Sequence, residues 1–303
     1  MGTDTRAGSG DGTGASGPPD VDALLERARE TLDRERRRTA DERDAFAEFH
    51  DRVREIRPVS ASATGPVAGG AVTDTAGTLP GSAGTVAGDA ATDRLDAVRE
   101  AYRETVMDVP HFGAEYDETY AESVTEEFGP EIATPLMGGD RFDDRYRGAL
   151  LEAAAERRSR RATLVDALDA ESKSLATHRE RIRSIREAFA AVDVGSGRSE
   201  RAPAEADTDD ADVAASFGAL LATRSTLVAF GERCDAVAAD RQADVRDNAR
   251  RLSVSARAVD VPTYCYGPLP VSYPVLSAVT AVGERVERHR RAVERAIATY
   301  SGT

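Results

Sequence analysis

The chain of 303 residues has no tryptophan, two cysteines, four histidines and a single lysine, Lys173, among its 40 basic residues. Aromatic residues make up only 5%. Alanine supplies much of the apolar content, so thin packing of helix on helix suits the composition better than a thick core. Cys234 and Cys265 form neither a disulfide framework nor a C-x-x-C motif. The amino terminus, MGTDTRAGSG, carries no apolar segment of the kind a signal peptide needs. The most apolar stretch, Tyr273 to Val282, is about half as long as a membrane span requires. A cytoplasmic location with no membrane span is therefore expected. The lone lysine narrows the chemistry further. Lys173 sits in ALDAESKSLATH, a helical run with no glycine loop before it, which leaves no P-loop and no kinase lysine. Its neighbours Glu171, Ser172 and Ser174 put it on an exposed helix face, not in the apolar pocket that a Schiff-base lysine requires.

Acids outnumber bases 54 to 40, for a formal charge of −14. Together with the near-exclusive use of arginine, this reads as adaptation to high salt. Carboxylates hold water and counterions there, and self-repulsion is screened over about 3 Å at 1 M ionic strength. The acidic surplus is then a solubility device and says little about a partner. Arginine also suits carboxylate pairing, because its planar fork binds bidentately.

Low-complexity tracts divide the chain. Residues 1–19, rich in Gly, Ser and Thr, read as a disordered tail, and the Gly/Ala/Ser/Thr/Pro tract 58–91 as a flexible linker. Residues 193–212, with Gly195, Gly197, Pro203 and the acids Asp207, Asp209 and Asp210, read as an acidic linker. Between these tracts the apolar pattern is helical. Over 20–57 the seam steps Leu25, Ala28, Leu32, Glu35, Thr39, Glu42, Phe46, Phe49, Val53, Ile56, with Asp20 as N-cap and Pro58 as stop. Glu35, Thr39 and Glu42 interrupt that seam where a packed dimer would place Leu or Ile. Residues 92–192 hold a small helical knot, 92–139, and a long helix from Phe142 whose seam includes Arg157, Arg160, Glu171 and His178. Residues 213–303 hold a long helix with Arg224, Cys234 and Arg241 on its seam, then a Tyr/Pro-rich turn and a C-terminal helix. In the knot, Leu95, Val98, Tyr102 and Val106 line one helix, which Pro110 ends, and Tyr116, Tyr120, Val124 and Phe128 line the next. The expected fold is all-α: about six helices, in long antiparallel coiled-coil-like hairpins, with a small knot and flexible linkers.

The runs RETVMDVPHF (Arg103 to Phe112), YAESVTEEFGPEIA (Tyr120 to Ala133) and YCYGPLPVSYPVL (Tyr264 to Leu276) resemble an uncharacterised haloarchaeal protein family, a domain of unknown function. The resemblance covers the first helix and the chain from about Thr92 to its end. It implies a halophile source and carries no activity, ligand or catalytic residue.

The residues themselves assign no chemistry. None of His50, His178 and His289 has a glutamate three positions before it, and Pro110 spoils the spacing before His111, so the Glu-x-x-His pairs of a di-iron bundle are missing. No zinc spacing is present either. His178 reads as a packed or pH-responsive interior residue, and Cys234 as a small hydrophobe on its seam. Cys265, between Tyr264 and Tyr266 in a Pro-rich turn, reads as an accessible thiol with no adjacent base to activate it. The tyrosines read as anchors, rings inward and hydroxyls outward. Arginine clusters at Arg34 to Arg38, Arg157 to Arg161 and Arg288 to Arg291 would suit phosphate, yet Asp33, Glu35, Glu156, Glu287 and Glu294 neutralise much of each. Counterion release also yields little affinity at high salt, so internal ion pairs on solvated faces are the expectation, with no nucleic acid. No catalytic, cofactor-binding or metal-ligating residue is assigned, and no cofactor is expected.

One local feature points to a partner. Between Glu104 and Asp140 there is no Lys or Arg, while Glu115, Glu118, Glu122 and Glu126 step by three and four beside the Tyr116–Tyr120–Val124–Phe128 stripe. An acidic face with aromatics would dock a basic partner or collect cations, whereas its bland counterpart is an amphipathic helix with a halophile's outer surface. The expected partner contacts are Phe112, Tyr116, Tyr120, Glu118 and Glu122.

The reading that follows is a non-enzymatic helical interaction or scaffold protein of a halophile cytoplasm, pairing with a partner or with itself through its seams. The alternative is a small-molecule sensor or enzyme with a site near His111 to Phe128 and the Tyr264 to Tyr273 turn, using His111, Tyr116 and Cys265. Nucleic-acid binding comes a distant third. If the polar seam residues set register with a partner, replacing Arg224 and Arg241 with Leu is expected to change oligomeric state or partner choice, read by elution volume and pull-down.

Overall fold

The computed structural model describes residues 20–58, 83–139, 141–196, 210–253 and 260–300. Among them are nine helices and no strand: α1 Val21–Glu55, α2 Ala83–Thr105, α3 Phe112–Glu115, α4 Tyr120–Phe128, α5 Pro130–Gly138, α6 Asp144–Ser196, α7 Asp210–Ser253, α8 Val261–Tyr266 and α9 Pro274–Tyr300. The all-α class is as expected. The count exceeds six because the knot and the Tyr/Pro-rich turn are cut into short helices. The tail 1–19 and the tracts 59–82 and 197–209 lie outside the described residues. The helix α2 already starts at Ala83, inside the stretch read as linker, where alanines favour helix.

The described residues belong to two compact units, whose boundaries fall inside α1 and α6. One lies within 1–32, 170–250 and 259–303, the other within 33–169 and 251–258. No helix among the described residues is long and apolar enough to cross a membrane.

In the unit within 33–169, the apolar stripe of each helix closes on one cluster. Phe46, Phe49 and Val53 of α1, Leu95, Val98 and Tyr102 of α2, Val124 and Phe128 of α4, Leu136 of α5 and Leu150 of α6 are its buried members. Few but central rings fill it. Phe49 meets Tyr102 edge-on at 5.4 Å and stacks with Phe128 at 5.9 Å, and Phe46 meets Phe128 edge-on at 6.0 Å. The Tyr102 hydroxyl, buried with them, is satisfied by Ser123 Oγ at 2.9 Å. Arg36 pairs with Asp169 and Arg161 with Glu42, so α1 and α6 run antiparallel here. At the α4–α5 junction Gly129 has φ +78°, a left-handed conformation that a side chain would strain, and Pro130 starts α5 at once.

The other unit packs Leu24, Leu25 and Leu32 of α1 and Leu175, Ile182, Ile185 and Phe189 of α6. From α7 come Leu227, Phe230, Cys234 and Val237, and from α9 Val275, Val279 and Val286. Cys234 is the buried small hydrophobe expected. Arg181 of α6 bonds Asp240 of α7, Arg233 reaches Ser184, and Phe189 meets Phe230 at 6.1 Å, so α6 and α7 form the antiparallel hairpin expected of them. Arg224 bonds Glu294 of α9 at 3.1 Å, and a Cβ on Gly283 would lie 3.9 Å from that of Cys234, which makes α9 antiparallel to α7.

The polar seam residues of this unit meet each other. Glu171 and Arg241, each 1% exposed, form a two-pronged pair, Nη2 to Oε1 at 2.5 Å and Nη1 to Oε2 at 3.0 Å. Arg241 also donates to Ser174 Oγ at 2.8 Å, and the Tyr266 hydroxyl donates to Glu171 Oε1 at 2.7 Å. Burial, reinforced by the Glu171 charge, holds that phenol well above its ordinary range, so it stays a donor. His178, buried as expected, reaches Asp244 through Nε2 at 3.0 Å. Two expectations about the turn are corrected. The Tyr266 hydroxyl points inward, and Cys265, 3% exposed, is no accessible thiol. Helix α8 turns Val261, Pro262, Cys265 and Tyr266 to the interior, because residues four apart share a face.

Arg241 therefore has its partner within the chain, and its replacement by Leu reads folding before it reads partner choice. Glu171→Gln or Arg241→Met is expected to lower the unfolding free energy by about 3–5 kcal/mol, since each leaves one buried charge unpaired. Tyr266→Phe is expected to cost about 1.5–3 kcal/mol. Joint replacement of the ion pair by apolar residues should cost less than either single change, in urea denaturation curves.

Candidate functional site

The knot turns sharply where one continuous helix was expected. Helix α3 is only four residues long, Asp117 adopts φ 43°, and Thr119 then caps α4. The Thr119 hydroxyl accepts from the Glu122 N–H at 3.3 Å, and Glu122 Oε2 accepts from the Thr119 N–H at 2.9 Å. This capping box fixes where α4 begins. Tyr116 and Glu118 consequently precede α4 and do not continue a helical stripe or face with Tyr120 and Glu122. The side chain of Glu115 lies outside the described residues.

The bend opens a cleft of about 70 Å³ whose apolar floor is Phe46, Val106, Val109 and Phe112, with Tyr116, Glu118, Glu126, Glu42 and Arg161 around it. That is room for about two waters or one flat side-chain head group, far below the roughly 300 Å³ at which drug-sized pockets begin.

One side of the cleft is fully paired. Glu42 of α1 accepts from Arg161 Nε at 2.7 Å, the Tyr116 hydroxyl at 2.7 Å and His111 Nε2 at 3.1 Å. Arg161 of α6 uses its other arm on Glu127 Oε1 at 2.5 Å and lies 4.4 Å over the Phe46 ring. Burial pushes the Glu42 carboxyl upward, but the Arg161 charge and the three donors outweigh it and hold the group below the usual carboxylate range. Burial, then the Glu42 charge, pushes the Tyr116 phenol up.

The opposite side is unpaired. Burial first, then repulsion by Glu126, Glu127 and Glu122, raises the Glu118 carboxyl, which lines the cleft together with Glu126. Among the described residues neither Glu118 nor Glu126 has an ion-pair partner. Tyr116 is 38% exposed beside them, its ring 5.5 Å from that of Phe112.

Of the expected partner contacts, Phe112, Tyr116 and Glu118 line this cleft. Tyr120 instead packs against Tyr102 at 5.7 Å, with the Arg103 guanidinium 4.4 Å over its ring. Glu122 is engaged in the capping box. His111 joins the cleft through Glu42, while Tyr264, Cys265 and Tyr273 belong to the other unit. In the sequence alone Glu42 and Arg161 stand out only as a seam interruption and a member of an arginine cluster. The sequence signals were a glutamate on an apolar stripe and the T-x-x-E of Thr119 to Glu122. Part of each arginine cluster is paired internally, Arg38 with Glu35, Arg157 with Glu127 and Arg290 with Glu287. No group of three or more His, Cys, Asp or Glu among the described residues could hold a metal ion.

The two glutamates should titrate with opposite effect. Glu42, depressed in the fold, contributes stability that is whole above the ordinary glutamate range and is lost as pH falls through its folded value. Glu118, raised, contributes stability below that range and loses it as pH rises through its folded value. Glu42→Gln is expected to cost about 2–3 kcal/mol at neutral pH and to flatten the acid limb of the stability profile. Glu118→Gln should raise the neutral melting temperature, both effects being read by thermal denaturation across pH.

The model of a family described as Domain of unknown function (DUF7260) matches residues 23–290, which include every residue of the cleft. No curated protein and no solved structure matches the chain.

Proposed function

We propose that this chain, which belongs to the DUF7260 family of domains of unknown function, is a non-enzymatic interaction protein that takes a protein partner at the cleft between α1 and the α2–α4 knot. The observation that carries this reading is the pair Glu118 and Glu126, left among the described residues without an ion-pair partner beside the exposed ring of Tyr116 in a cleft whose other acids, Glu42 and Glu127, are both paired. The seams, by contrast, are engaged internally: Glu171 holds Arg241, and Glu42 holds Arg161. The cleft has room for a side chain and not for a metabolite, which favours a protein partner over a small-molecule sensor. A surplus of acids with one lysine fits work in a halophile cytoplasm, where partners must associate through short-range contacts.

The test is a pull-down from the source cytoplasm at its own salt, identifying proteins and small molecules by mass spectrometry, beside a Phe112→Ala/Tyr116→Ala variant. A stoichiometric protein lost in the variant is the expected result. A metabolite co-purifying without a protein, or a partner indifferent to the variant, overturns the reading.

A further inference from the structure

We infer that the occupant of the cleft is the guanidinium of an arginine carried by the partner, held between Glu118 and Glu126 and laid on the Phe112–Tyr116 ring pair. The inference deepens the docking reading and rests on it.

Charge comes first. Glu118 and Glu126 line the same cleft and repel when both ionise, and the described residues give neither of them an ion-pair partner. A cation placed between them removes that repulsion, and the arginines nearest the cleft are already engaged, Arg161 by Glu42 and Glu127 and Arg38 by Glu35.

Shape and surface then choose among cations. The space of about 70 Å³ admits a flat head group on a narrow stem, and the apolar floor of Val106 and Val109 suits the methylenes of such a stem. The Phe112 and Tyr116 rings, 5.5 Å apart and tilted by 45°, offer π faces beside the acids. Guanidinium answers both features, because it is planar, weakly hydrated, pairs bidentately with carboxylates and stacks on aromatic faces. A bare metal ion would find two carboxylates and an aromatic floor in place of a shell of oxygens.

The chain already builds the same arrangement next door. Arg161 lies 4.4 Å over Phe46 while bridging Glu42 and Glu127. Those groups line the same cleft, so the incoming arginine would repeat on Glu118, Glu126, Phe112 and Tyr116 what Arg161 does on its own carboxylates and ring. Weak hydration also lets a guanidinium keep such contacts at salt concentrations that screen longer-range attraction.

The experiment titrates the full ¹⁵N-labelled chain with a blocked Gly-Gly-Arg-Gly-Gly peptide, its citrulline analogue and its lysine analogue. The expected result is saturable shifts at Phe112, Tyr116, Glu118 and Glu126 with the arginine peptide, at least about tenfold weaker binding of the lysine peptide, and none of the uncharged citrulline peptide. Glu118→Gln/Glu126→Gln should abolish the shifts while the melting temperature holds or rises, which separates lost binding from lost folding. Equal binding of arginine and citrulline, shifts elsewhere, or displacement by magnesium in place of the peptide overturns the inference. If the peptide fails while the pulled-down partner still depends on Phe112 and Tyr116, the docking site stands and its arginine occupant falls. If both fail, both readings fall.

Discussion

A thin helical bundle has no room to hydrate a charge on its seam, so a charge placed there must meet its opposite or cost several kcal/mol. Arg241 is such a charge, and its fork closed on Glu171 is the contact on which its unit most depends. The pair draws in Ser174 and Tyr266, so that α6, α7 and α8 converge on two carboxylate oxygens. Apolar contacts alone would tolerate a slide of α7 along α6, since valine, leucine and alanine repeat along both. A slide of one turn would carry Arg241 toward Leu175 and strand both charges. The ion pair thus selects a register among apolar packings of similar quality.

The same logic governs the knot with a different result. Glu42 interrupts the apolar stripe of α1, and Arg161 satisfies it from the antiparallel α6 while also holding Glu127. These bonds, with His111 and Tyr116 added, make one wall of the cleft rigid. The other wall carries acids that the fold brings together and leaves uncompensated. Glu118 therefore stands in the reverse electrostatic condition to Glu42 in the same cleft, one carboxyl surrounded by donors and the other by carboxylates. Stability spent on that repulsion is a reason to look for what relieves it.

Arginine fits both roles. A guanidinium can bridge two carboxylates and cover a ring at once, as Arg161 does, and a salt-rich solvent weakens such close contacts less than it weakens distant attraction. A chain using arginine for nearly every base can therefore keep polar seams in a thin bundle.

How much of this was legible in the residues follows from range. Seven-residue seams, the stop at Pro58 and the scarcity of aromatics determined an all-α chain with long helices, because helix periodicity and breaking are properties of neighbours a few positions apart. The aromatic and acidic character of the segment from Phe112 to Glu126 was legible in the same way. Its break between Glu115 and Tyr120 was written in Thr119 and Glu122 as a capping box, but the continuing three-and-four spacing of tyrosines and glutamates masked it. What only the tertiary structure decided is which charges meet. Glu171 is 70 positions from Arg241 and Glu42 is 119 from Arg161, and no local pattern can tell a seam charge awaiting a second molecule from one that its own chain will answer. Glu118 and Glu126 became distinctive for the converse reason: once the fold has paired the other acids of the cleft, these two are left without an ion-pair partner among the described residues.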